Sequence, residues 1–318
     1  MHPFSRTVID RTPERLQPSV RLVVRTVDAS IADRLPGLAA ELAFWVVLSL
    51  PALVLTLVTT LGAVSALVAG DWQDELLART AEAASVVLTY ATIEDFLLPL
   101  LEQLLGDPGV GVLSFAFLTM VWTASRAMKV ILIALALIYE RHDHRPAWKA
   151  RIQAFGMALG GLLIGTLLAP LLLSGPNIIA MVDEWIPLAD LSGFAAVWSA
   201  AYWPTVIVVA TLAIALLYHV GVPGPRLRWR DELPGAALAT GVWLAGSAGL
   251  RLYGLWILDT TSVYGQLSGP IVGLLWIWLT GFAVLLGAEL NAQRRVVAVA
   301  AELPESDRVW PLTARPET

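Results

Sequence analysis

The chain has no cysteine among its 318 residues, which excludes structural disulfides, thiolate zinc sites and cysteine-ligated iron–sulfur clusters together. Charge is scarce as well. Asp, Glu, Lys and Arg make up 15% of the sequence, against roughly a quarter in soluble domains. Only four histidines occur, and the pair in His142-Asp143-His144 reads as part of a solvated loop rather than a metal site. HExxH, GxSxG, a P-loop and a dinucleotide-binding glycine pattern are all missing. No catalytic residue, metal or cofactor is therefore expected. The opening residues, MHPFSRTVIDRTPERLQPSVRL, lack the apolar core and small-residue cleavage site of a signal peptide, so the N-terminus is expected to stay attached and cytoplasmic. Internal repeats are absent too, which gives no support to an inverted-repeat transporter.

Apolar residues occupy the space that charge leaves. They form 57% of the chain, the mean hydropathy is +0.70, and they gather in runs longer than the roughly 20 residues a helix needs to cross hydrocarbon. The last run, residues 264–291, reads YGQLSGPIVGLLWIWLTGFAVLLGAELN and has no formal charge between Leu274 and Ala288. Earlier runs at about 38–68, 110–138, 152–181, 194–218 and 233–258 complete the set. The expected fold class is all-α: a polytopic membrane protein with six transmembrane helices and an amphipathic helical segment between the first two.

Between the spans the charges alternate in sign. Residues 1–37 form a basic arm in which Val20, Val23, Val24, Val27 and Ile31 share one helical face, as in a helix lying on the inner membrane surface. Residues 71–109 carry eight acidic residues against the single Arg79 and read as outer amphipathic helices, a candidate docking surface for an envelope protein. The loops holding Arg141, Arg145, Lys149 and Arg151, and then Arg226, Arg228 and Arg230, are basic. Of the 21 Lys and Arg residues, 17 fall on one side of this topology. The Lys/Arg bias makes that side cytoplasmic and puts both termini there. The six-span domain covers 38–291, and the tail, 292–318, is expected to be disordered. Membrane topology already accounts for the basic loops, so nucleic acid is not an expected partner.

Ionisable groups inside spans are costly, about 2.5 to 3.5 kcal/mol each at a helix centre on insertion scales, so they mark sites worth testing. Arg126 and Lys129 lie on one face of the second span and Arg251 lies in the fifth. Glu41 and Glu289 sit near the inner ends of the first and sixth spans, with Asn291 just beyond. Two readings follow. Glu41, Glu289 and Asn291 are structural groups, the carboxylates pairing with Arg126 or Lys129; alternatively, the surplus positive charge of Arg126, Lys129 and Arg251 lines a cavity for an anionic group such as a lipid phosphate. Pro51 and Pro170 are hinge candidates, with Ser49 placed to satisfy a carbonyl freed by Pro51 and Pro170 expected to break the third span. Among the 13 Trp, Trp122, Trp243, Trp276 and Trp278 sit deep enough to read as packing residues.

Three segments, AAELAFWVVLSLP, VWTASRAMKVILIALALIYE and YGQLSGPIVGLLWIWLTGFAVLLGAELNAQ, resemble the YihY/BrkB family of bacterial inner-membrane proteins in order and spacing along nearly the whole chain. That resemblance implies a six-span helical protein of the cytoplasmic membrane. It also brings two labels used for members, ribonuclease BN and virulence factor. The residues speak against the first, because phosphodiester cleavage needs carboxylate or His clusters beside accessible RNA, and Glu41 and Glu289 lie at membrane depth. The expected function is a transporter or export component for an anionic lipid or similar amphiphile, with membrane lipids as partners. A scaffold of an envelope complex, docking through 71–109, is the alternative.

Overall fold

In a computed structural model of the protein the described residues are 17–65, 94, 98–99, 110–141, 146–174, 192–224, 228–258 and 265–302. They form seven helices and, among the described residues, no strand: α1 Gln17–Ala32, α2 Leu35–Ser65, α3 Val110–Ile138, α4 Ala147–Ser174, α5 Ser192–Gly221, α6 Trp229–Leu258 and α7 Gly265–Glu302. The all-helical membrane architecture is as expected. Apart from residues 94, 98 and 99, the acidic segment 71–109 lies outside the described residues, as does His142-Asp143-His144.

Helices α2 to α7 are 28 to 38 residues long, or about 42 to 57 Å at 1.5 Å per residue, against a hydrocarbon thickness of about 30 Å. Among the described residues four windows are both long and apolar enough to cross a membrane: Phe117–Ile138, Ala200–Gly221, Trp229–Gly254 and Gly269–Ala298. In α2 the apolar stretch Leu35–Leu50 is shorter. Of the six expected crossings, four thus have a helix among the described residues that is long and apolar enough to span a membrane.

Two ends differ from expectation. α4 starts at Ala147 and runs through Pro170 to Ser174, so Pro170 does not break it; in a membrane helix a proline removes one hydrogen bond that the surroundings can make good. Pro51 likewise lies within α2, and Ser49 Oγ donates to the Val46 carbonyl at 2.6 Å. That carbonyl is one residue before the Val47 carbonyl that Pro51 leaves without its donor. α7 continues past Asn291 to Glu302, so the first residues of the tail are helical. Ala292 is buried and Arg295 reaches an acidic partner on α6, contacts that hold this extra length in register.

The central core lies at the basic end of the bundle. It joins Leu35 at the start of α2, Leu135 and Ile138 at the end of α3, Tyr218 and Val222 around the end of α5, Ala236 near the start of α6, and Ala288 and Ala292 on α7. This clustering of alternate helix ends is what antiparallel crossings require. α1 packs on α7 through its polar side: Thr26 and Ser30 are buried and donate to the Leu22 and Thr26 carbonyls one turn back. Val23, Val27 and Ile31 face outward, the opposite of a helix on a soluble core. α6 and α7 cross most closely at Gly235 and Gly287, where a Cβ on either would overlap the other's carbonyl oxygen.

Candidate functional site

The motif Trp122-Thr123-Ala124-Ser125-Arg126 sits on α3, and its hydroxyls are spent within the helix. Thr123 Oγ1 donates to the carbonyls of Thr119 and Met120 at 2.8 and 3.0 Å, and Ser125 Oγ donates to that of Trp122 at 2.7 Å. Arg126 is left as the polar group that leaves the helix surface. Its guanidinium carbon lies 5.4 Å from the Trp45 ring centroid on α2 and 5.0 Å from that of Trp122. The two indoles meet edge to face, 6.2 Å apart at 89°. The electron-rich ring faces attract the cation, an effect of about 2 kcal/mol when water is excluded, and they hold the side chain in place. Its Nε is buried with no hydrogen-bond partner among the described residues.

Lys129, one turn further along α3, and Arg151 of α4 join Arg126 around a pocket of about 150 Å³ closed by Ser125 and Ala154. A groove of about 650 Å³ adjoins it, walled by Phe115, Phe117, Leu118, Val121, Trp122 and Phe155. Ser125 and Arg151 line both. Along α3 the positions 115, 118, 122, 125 and 129 recur every three or four residues, which is one face of a helix. Groove and pocket are therefore a single column along that face, apolar toward the start of α3 and cationic toward the basic end of the bundle.

Of the residues singled out from sequence, the structure brings Arg126 and Lys129 together. Arg251 is exposed on α6 and lines neither space. Glu41 is exposed on α2 and makes no ion pair among the described residues. Glu289 is buried on α7, where its Oε1 accepts a hydrogen bond from Gln293 Nε2 at 2.9 Å. Sequence reasoning counted Arg151 with the basic loop. The signal it carried was its place one turn into α4, where an antiparallel neighbour brings it back beside α3. Trp122, expected to pack, also forms half of the aromatic clamp on Arg126.

A second polar cluster, of which only Asn291 was singled out from sequence, is built on Glu232 in the first turn of α6, whose side chain is fully buried. Its Oε1 pairs with Arg295 Nη2 of α7 at 3.2 Å, and its Oε2 accepts from the Tyr139 hydroxyl at 3.0 Å and Asn291 Nδ2 at 3.3 Å. Asn291 also donates to the Glu232 carbonyl at 2.9 Å and accepts from the Gly235 N–H at 2.8 Å. Arg295 lies over the Tyr139 ring, 5.4 Å from its centroid. Burial, followed by the Glu232 charge, pushes the Tyr139 phenol above its ordinary value, so it remains a donor. These groups tie α3, α6 and α7 together at the basic end of the bundle. That is the physical content of the GAELN sequence: Gly287 for the close crossing, Ala288 for the core and Asn291 for the start of α6. Among the described residues no group of three or more His, Asp or Glu side chains is placed to hold a metal.

Comparison with known proteins matches the family described as virulence factor BrkB to residues 26–309. The putative ribonuclease-like protein YfkH of Bacillus subtilis is 29% identical over 193 residues, covering 60% of this chain and 68% of that protein. A UPF0761 membrane protein of Tolumonas auensis is 37% identical over 79 residues, 25% of this chain and 26% of its own. The UPF0761 membrane protein YihY of Salmonella newport is 32% identical over 105 residues, 32% of this chain and 36% of its own. No solved structure matches the chain.

Proposed function

The chain belongs to the virulence factor BrkB family and is a membrane protein; from that premise we propose that it acts as a transporter or export component for an anionic lipid or similar amphiphile. The observation that carries the reading is the convergence of Arg126, Lys129 and Arg151 on one pocket at the inner end of an apolar groove. Three like charges repel. Two of them lie within a span, where each costs about 2.5 to 3.5 kcal/mol near the centre, and among the described residues no acidic one lines the pocket. An anionic head offsets that cost, and an apolar tail finds aromatic walls alongside. The Lys/Arg bias of the sequence supports an orientation with the basic end, and both termini, on the cytoplasmic side.

Reconstitution in liposomes tests this directly. Movement of a labelled anionic lipid between leaflets is measured for the native protein and for Arg126→Ala combined with Lys129→Ala, with retained helicity and elution as the folding control. The proposal expects lipid movement by the native protein and at least a tenfold lower rate in the double variant. Equal rates would remove the cation pocket from the mechanism.

A further inference from the structure

The site on α3 has a direction as well as a charge. Its apolar walls begin at Phe115 and Phe117, near the outer end of α3, and its cations are at positions 126, 129 and 151 toward the basic end. The other described apolar cavity, about 470 Å³ between α2, α3, α4 and α7, is lined by no charged residue, so it offers no competing place for an anionic head. In the column, Arg126 is fixed between two indoles, with its Nε buried and unpartnered among the described residues. Ser125 Oγ is engaged with its own helix, so the anion is met by cations rather than by neutral donors. Charge-assisted, forked hydrogen bonding of this kind suits a phosphate better than a sugar or an amine.

Resting on the lipid reading above, we infer that the column holds a phosphate-headed lipid of the cytoplasmic leaflet, head at Arg126, Lys129 and Arg151 and acyl chain running outward along Phe115, Leu118 and Trp122. An outer-leaflet lipid would enter with the opposite polarity and set its tail among the cations. Arg126 lies 12 residues before Ile138, the end of the span, or about 18 Å along the axis at 1.5 Å per residue. The head is therefore drawn well below the plane of its neighbours while still pointing toward the cytoplasm. That is the geometry of a lipid leaving its leaflet by way of a loading site.

Photocrosslinking of the full-length protein in nanodiscs reads the orientation. Phosphatidylglycerol probes carry a diazirine either at the end of the acyl chain or beside the glycerol, and labelled residues are mapped by mass spectrometry. The chain-end probe should label Phe115, Phe117 and Leu118, and the glycerol-side probe Ser125, Arg151 and Ala154. Arg126→Gln should lower both by about tenfold, with Arg126→Lys in between. If Arg126→Gln does not fold, Arg151→Gln, on the rim of α4, should lower them at least threefold. A reversed pattern would overturn the inference, as would equal labelling by a neutral diacylglycerol probe or displacement by millimolar inorganic phosphate. Lipid movement with a reversed pattern leaves the transport reading standing and removes this one. The expected pattern without lipid movement does the opposite.

Discussion

Replacing Gly235 with alanine should push α6 and α7 apart where their backbones meet at Gly287. A Cβ at that position would overlap the Gly287 carbonyl oxygen and lie 2.5 Å from both Cγ and Nδ2 of Asn291. The first of these is backbone and cannot rotate away. Overpacking of this kind costs about 1 to 3 kcal/mol. If Asn291 is displaced, its bonds to the Gly235 N–H, the Glu232 carbonyl and Glu232 Oε2 go with it, at about 0.5 to 1.5 kcal/mol each. Alanine returns about 1 kcal/mol in helix propensity, so the expected net loss with all three bonds gone is about 4 kcal/mol. Gly156→Ala is the matched control, because among the described residues nothing lies within 4 Å of its missing Cβ; there only the favourable propensity remains. Equilibrium unfolding of both variants in mixed micelles, followed by circular dichroism, measures the difference. A Gly235→Ala protein within about 0.5 kcal/mol of Gly156→Ala would refute the claim that this crossing is a backbone contact.

Glu232→Ala should destabilise by about 3 kcal/mol, since it leaves Arg295, Tyr139 and Asn291 without their shared acceptor; micelle unfolding checks this. Arg295→Ala should cost a comparable amount, because it leaves the fully buried Glu232 carboxylate without its cation. Tyr139→Phe, which deletes one hydroxyl, is expected to cost about 1 kcal/mol by the same measurement. Trp122→Leu and Trp45→Leu keep apolar bulk but remove a ring from Arg126. Each should weaken anionic-lipid crosslinking several-fold while leaving stability within about 1 kcal/mol. Arg251→Gln, away from the pocket, should leave the lipid-movement rate within twofold of native in the liposome assay.

The fold was readable because a membrane imposes a crude rule. A run such as 110–138 must be helical whatever its neighbours do, and α3 has those bounds. The α7 end was less readable, since the reason it continues beyond Asn291 is a contact from Arg295 to Glu232, 63 positions back in the chain. The same limit applies to the sites. Arg126 and Lys129 stood out because they are expensive where they lie, whereas Arg151 and Glu232 sit at helix ends, where charge costs little and carries no local signal. Only the packing of α4 on α3, and of α6 on α7, turns them into parts of a constellation. Trp45 was equally silent: its meeting with Arg126 depends on how α2 lies against α3.

The groove's two walls are unequal in their attachments. α3 packs on α2 and α4, with further contacts to α5 and α7, whereas α4, which supplies Arg151 and Phe155, packs chiefly on α3. Among the described residues, the glycine-bearing stretch of α4 at Gly156, Gly160 and Gly161 meets nothing within 4 Å of its missing side chains. On the transport reading, a lipid wider than this groove makes room most readily by displacing α4. Such a movement breaks its interface with α3 and the Gln153–Val220 hydrogen bond to α5 and leaves the Glu232 knot intact, so the wall bearing one of the three cations is the one expected to yield.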